Sequence, residues 1–260
     1  MIFVTLGIWL LLILVAGLGL YRYWTRRLGG AVVDWLMLPA TLVSETAYSA
    51  GRLMTGRPAF GGLISPQDVN TDACRFAISG KHGFFVSMLS SFLTLVLCGL
   101  ALAATAKWIG RDMIQSLVLG GGLLEPAWLP KNPPLQWDAF WDVLAYQIRL
   151  LRGFLETLGR QNWLDWRVWL FVYLSAGLSV RLGPVRHDWR ATLVVGAILV
   201  GLLAAAAAIF PAVRDFVDGT LWCVLTYVWA LLLGLMAATL IVTGLAAVVY
   251  PFLPASMRAK

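Results

Sequence analysis

The chain has 260 residues, of which 60% are hydrophobic and 13% charged, against about 25% charged in an ordinary soluble domain. With a mean hydropathy of +0.80, this composition excludes a water-soluble globular domain and predicts an all-α polytopic membrane protein. The net charge of +7 does not point to nucleic acid: the basic residues sit at the ends of apolar runs, as orientation and headgroup contacts require, and no nucleic-acid-binding motif is present.

Ile2 to Leu20 carries no charge and is followed by Tyr21-Arg22-Tyr23-Trp24 and Arg26-Arg27. A cleaved signal peptide has a charged start, a shorter apolar region and a small-residue cleavage site. The pattern here predicts an uncleaved first span over 2–21, with the N-terminus outside and the arginines in the cytoplasm. The next apolar stretch, 31–56, contains Asp34, Pro39, Glu45 and Arg52. It reads either as a span or as a helix that lies at the surface or dips in and out. The run 83–107 is a clear span, closed by Lys107 and Trp108.

After a connection rich in Gly and Pro, residues 136–161 are strongly periodic. Trp137, Phe140, Trp141, Leu144, Ile148, Leu151 and Leu155 recur at helical spacing, with Asp138, Asp142, Arg149, Arg152, Glu156 and Arg160 on the other side. That is an amphipathic helix. It suits either the membrane interface or a partner protein, and these seven apolar residues are its candidate interface.

A shorter span over 163–182 is flanked by Arg167 and Arg181, whose long side chains can snorkel to the headgroups. The run 191–213 is rich in Ala and Gly, which lets a neighbouring backbone approach closely. The longest run, 220–250, is stopped by Pro251 and Pro254. The expectation is five to six spans. The five-span arrangement places slightly more of the 20 Lys and Arg residues on the cytoplasmic side. Cys74, Cys98 and Cys223 have no spacing that suggests a disulfide framework or a zinc ribbon.

Charge within the membrane is costly and usually functional, so Glu45, Asp34 and Arg52 are the candidate intramembrane charges. The segment Leu38-Pro39-Ala40-Thr41-Leu42-Val43-Ser44-Glu45-Thr46-Ala47-Tyr48, running on to Gly56, resembles bacterial membrane proteins related to the site-2-type zinc metallopeptidases. In that group an apolar, Pro-containing stretch leads into His-Glu-x-x-His. The stretch from Tyr173 to Arg190 is similar to theirs as well. Two histidines at i and i+4 hold the zinc, and here those positions are Ser44 and Tyr48, whose hydroxyls do not replace imidazoles. The resemblance implies a metallopeptidase-like scaffold that has lost its metal, so no metal and no cofactor is expected. On the residues alone, Glu45 is expected to be buried among helices and paired with a cation such as Arg52, Arg22 or Arg26.

His82 and His187 lie in different loops and make no shared metal site. Ser87, Ser90 and Ser91 have no base to activate them. The sequence therefore reads as a non-catalytic membrane subunit that scaffolds or anchors a larger membrane complex, in contact with lipid and other membrane subunits. A divergent metallopeptidase-like enzyme is the alternative, and a small transporter the third reading. The expected location is a cell membrane, as a multi-pass protein of the bacterial inner membrane.

Overall fold

Inside a bilayer no water is available to take up peptide N–H and C=O groups, so a chain that enters it satisfies them internally as a helix or closed barrel. This sequence takes the helical route. The structure, a computed structural model, describes residues 2–54, 81–111, 114, 129–131, 137–182 and 189–249; of these, the side chains of 52, 81–83, 137–140, 189 and 247–249 are not described. The helices are α1 (Ile2–Leu28), α2 (Gly30–Leu36), α3 (Leu38–Met54), α4 (Lys81–Trp108), α5 (Trp137–Arg160), α6 (Trp166–Arg181), α7 (Trp189–Ile209), α8 (Pro211–Phe216) and α9 (Trp222–Val249), with a π-helical turn at Val217–Leu221 joining the last two. No strand occurs among the described residues.

Four helical stretches among the described residues are long and apolar enough to cross a membrane: Ile2–Leu28, Phe84–Trp108, Arg190–Ile209 and Pro211–Ala246. The chain is in this respect consistent with a multi-pass membrane protein. α6 has 16 residues, fewer than the roughly 20 that cross a bilayer without tilt or thinning.

Several boundaries have clear local causes. α1 ends at Gly29, whose φ of 86° lies in the left-handed region that suits glycine. The apolar stretch expected over 31–56 is, as far as Met54, two helices, because Met37 departs from helical geometry (φ −106°, ψ 28°). Pro39 follows in the first turn of α3, where a missing N–H is tolerated. The run expected over 191–213 closes instead at Ile209. Phe210 is extended (φ −116°, ψ 109°) and Pro211 starts α8, so the last long helix begins nine residues before the expected 220. α6 starts late, at Trp166, where the Asp165 side chain accepts from the Arg167 N–H at 2.9 Å.

Small residues set the packing. A methyl group on Gly17 of α1 would lie 3.1 Å from the Val180 carbonyl oxygen on α6. One on Gly51 of α3 would lie 2.8 Å from Ser90 Cα on α4, and one on Gly177 of α6 would lie 3.1 Å from Ala40 Cβ on α3. Membrane helices gain van der Waals contact from such close approaches, since lipid offers no hydrophobic drive to associate. Gly7 faces Val200 while Gly196 faces Leu10, so α1 and α7 run antiparallel. The centre of the bundle holds Ile13, Cys98, Phe171, Tyr227 and Leu232, all buried.

Candidate functional site

Two features stand out: a buried charge cluster and an exposed helix face. In the cluster, Arg181 closes α6 and its side chain is only 1% exposed. Its Nη2 donates to Asp34 Oδ1 on α2 and to Thr41 Oγ1 on α3 at 3.0 Å. Its guanidinium lies over the Tyr21 ring of α1, 4.8 Å from the centroid, and the Tyr21 hydroxyl donates to Asp34 Oδ1 at 3.1 Å. Four helices thus meet at one ion pair. Arg181 does not snorkel to the headgroups as its place at the end of an apolar run suggests. Burying an ion is offset only when a counter-charge and hydrogen bonds take the place of water, and Asp34, Thr41 and Tyr21 supply these. Arg181 Nε and Ser179 Oγ are buried and find no hydrogen-bond partner among the described residues.

Asp34 is therefore placed in a definite site, with a partner that the sequence reading did not assign to it. Arg181 stands 147 residues away, and the only local hint is an arginine that ends an apolar helix carrying two serines. Glu45 is half-buried on α3 and makes at least one hydrogen-bond, ring or electrostatic contact. The side chain of Arg52 lies outside the described residues. Ser44 donates its hydroxyl to the Thr41 carbonyl at 3.0 Å, so it is engaged with its own helix backbone; Tyr48 is half-buried. Among the described residues, no three His, Cys, Asp or Glu side chains gather where they could hold a metal ion. His187 and the side chain of His82 fall outside the described residues.

α5 has three faces. At 100° per residue, Gln147, Leu150, Phe154 and Thr157 occupy an arc of about 80°, and this arc meets the bundle. Leu150, Phe154 and Thr157 are buried, Phe154 packs on Gly234 and Tyr227 of α9, and Gln147 Oε1 accepts from Trp229 Nε1 at 2.5 Å. Trp141, Leu144, Ile148, Leu151 and Leu155 fill a second arc of about 80°, centred roughly 120° away. Leu144, Ile148 and Leu155 are 44%, 67% and 54% exposed; Leu151 is half-buried. Asp142, Arg149, Arg152, Glu156 and Arg160 form the third, with Arg152 bonded to Glu156 at 2.8 Å. The side chains of Trp137 and Phe140 lie outside the described residues. The five described apolar residues that sequence periodicity selects thus form the outward face, and the face that packs on α9 contains Gln147 and Thr157, which no hydrophobic pattern would select. Beside it, burial pushes the Tyr146 phenol well above its usual range, with Arg149 acting the other way.

The corner between α5 and α6 extends the exposed apolar surface. Trp163 and Trp169 rings meet at 4.9 Å, Trp166 is exposed, and Leu164 is 95% exposed. Residues 129–131 dock on the bundle without helical structure. Trp9 Nε1 donates to the Pro130 carbonyl at 3.2 Å, Trp222 Nε1 donates to the Leu129 carbonyl at 2.8 Å, and the Leu129 N–H reaches Thr226 Oγ1 at 3.2 Å. Buried irregular backbone is tolerated where protein satisfies its polar groups. Lys131 then donates to the Asp218 carbonyl at 3.3 Å in the π-helical turn, where the wider helix leaves carbonyls available.

Compared with protein-family models, with curated proteins and with solved structures, the chain matches none.

Proposed function

We propose that this protein is a non-catalytic integral membrane subunit that scaffolds or anchors a larger membrane protein complex, in a bacterial inner membrane. The observation that carries the reading is α5. One of its faces is fixed on α9, one is charged, and the third is an apolar stripe turned outward at Leu144, Ile148 and Leu155. A helix that has already buried one side gains nothing within the monomer from a second apolar face. In this reading α5 lies in the membrane interface, charged face toward water, and the tryptophans at the α5–α6 corner sit at headgroup depth.

The same reading takes α6 as a fifth span beside the four long helices, and the α2–α3 segment as a bent, non-crossing element clasped to the bundle by Asp34 and Arg181. The resemblance to site-2-type metallopeptidases fits a scaffold that keeps Glu45 on α3 and uses Ser44 for backbone bonding. Purification of the full chain in mild detergent tests the proposal. The protein is expected in an assembly larger than its own 28.5 kDa, reduced in size by Ile148→Asp. A lone monomer with hydrolytic activity and stoichiometric bound zinc would overturn it.

A further inference from the structure

We infer that the outward stripe of α5 is the contact between two copies of this chain, paired antiparallel about a two-fold axis along the membrane normal. The inference rests on the scaffold reading above and names the first partner. Three observations carry it.

The first is spacing. Trp141, Leu144, Ile148, Leu151 and Leu155 follow one another at steps of three, four, three and four. This is the heptad seam along which one helix packs on another. It is also narrow, about 80° of the circumference, with Ala145 and Arg152 exposed along one edge. Acyl chains impose no such register and no such width; a second helix does both.

The second is self-complementarity. In an antiparallel pair centred between Ile148 and Leu151, Leu144 faces Leu155 of the second copy and Ile148 faces Leu151 of the second copy. Trp141 then lies beside Leu158 of the second copy. Each apolar residue meets another, and a two-fold interface is required to use the same patch twice.

The third is charge and symmetry together. The first half of α5 carries Asp138 and Asp142, and the second half carries Arg149, Arg152 and Arg160 against Glu156. Antiparallel pairing sets the acidic half of one helix beside the basic half of the other and opposes the helix dipoles favourably. Parallel pairing sets like against like. Two copies inserted in the same sense are related by an axis along the membrane normal. Such an axis makes a membrane-crossing helix parallel to its mate and an in-plane helix antiparallel to its mate. The pairing that the charges favour is therefore the one an interfacial α5 adopts.

The test uses the full chain in nanodiscs. In a background with Cys74, Cys98 and Cys223 replaced, two differently tagged copies carry Leu144→Cys and Leu155→Cys. Mild oxidation is expected to join the two tags. Leu144→Cys paired with itself is expected not to cross-link, because antiparallel register separates those positions by roughly 16 Å. Native mass spectrometry of the chain with its own cysteines, which needs no replacement, is expected to give a dimer. Ile148→Asp should weaken that dimer by at least about tenfold, and Ile148→Leu should keep it. Self-cross-linking of Leu144→Cys, or a wild-type monomer whose Trp141, read as the difference from Trp141→Phe, is quenched by brominated lipid, overturns the inference. A wild-type monomer that loses a different membrane protein on Ile148→Asp overturns the pairing but leaves the scaffold reading standing. A monomer that Ile148→Asp changes in no respect overturns both.

Discussion

The ion pair between Arg181 and Asp34 makes an asymmetric prediction. Removing Asp34 with Asp34→Ala leaves a guanidinium that is 1% exposed, with Thr41 the one remaining acceptor among the described residues and the Tyr21 ring beneath it. An uncompensated buried charge of this kind costs about 3–5 kcal/mol. Removing Arg181 with Arg181→Met leaves a milder defect. Asp34 is 20% exposed, keeps the Tyr21 hydroxyl at 3.1 Å, and can turn toward water. The expected loss is about 1–3 kcal/mol, the range for a stranded but partly solvated polar group. In the double variant neither charge remains, and apolar replacements of buried pairs are often neutral or stabilising. The loss should then fall below that of Asp34→Ala alone, so the coupling in a double-mutant cycle should be at least the Arg181→Met loss, about 1 kcal/mol or more. Reversible unfolding in mixed micelles reads all four proteins. Equal, small losses of under about 1 kcal/mol for both single variants would refute the reasoning, because exposed ion pairs behave that way. So would a larger loss for Arg181→Met than for Asp34→Ala.

Other substitutions test the packing and the docked segment by the same unfolding assay. Gly51→Ala should destabilise by about 1–3 kcal/mol, since its methyl meets backbone at Ser90 and the helices must part; Gly17→Ala, with 3.1 Å available, should cost less. Trp222→Phe should lose about 1–3 kcal/mol by stranding the buried Leu129 carbonyl. Tyr146→Phe should be neutral or stabilising by up to about 1 kcal/mol, because the buried Tyr146 hydroxyl has no hydrogen-bond partner among the described residues. Asp218→Asn should change stability by under about 1 kcal/mol, as the Lys131–Asp218 pair is well exposed.

Hydropathy made the long helices legible, because a 20-residue apolar run has few other uses. Their ends were less so. Phe210-Pro211 breaks an apolar run at a point where no charge marks it, and the π turn at Val217–Leu221 joins Arg214 and Asp218 into the helix that follows. Periodicity made α5 legible as a helix but did not say which face packs. Its charged face is plain from sequence; the remaining two-thirds of its circumference is mostly apolar, and only tertiary contact divides it. The choice falls on Gln147, Leu150, Phe154 and Thr157 because α9 offers matching groups: Trp229 to hydrogen-bond Gln147, and Gly234 with no side chain, where the Phe154 ring can lie. Neither match is visible from α5 alone.

The charge cluster was out of reach for a different reason. Asp34, Glu45 and Arg52 lie close in sequence, and a local reading looks for partners nearby. The structure instead joins Asp34 to a residue at the far end of another apolar helix. What brings them together is backbone proximity: Gly17 and Gly177 let α1, α3 and α6 approach until Tyr21, Thr41 and Arg181 share one site. A larger residue at Gly177 would meet Ala40 first and hold α3 away from the arginine. The small residues and the buried charge are therefore one device. The close approach excludes water from Arg181, and that exclusion makes Asp34 indispensable to it. A charge that would be a snorkelling flank on an isolated helix becomes, once three helices close around it, the point that fixes α2 and α3 against the bundle.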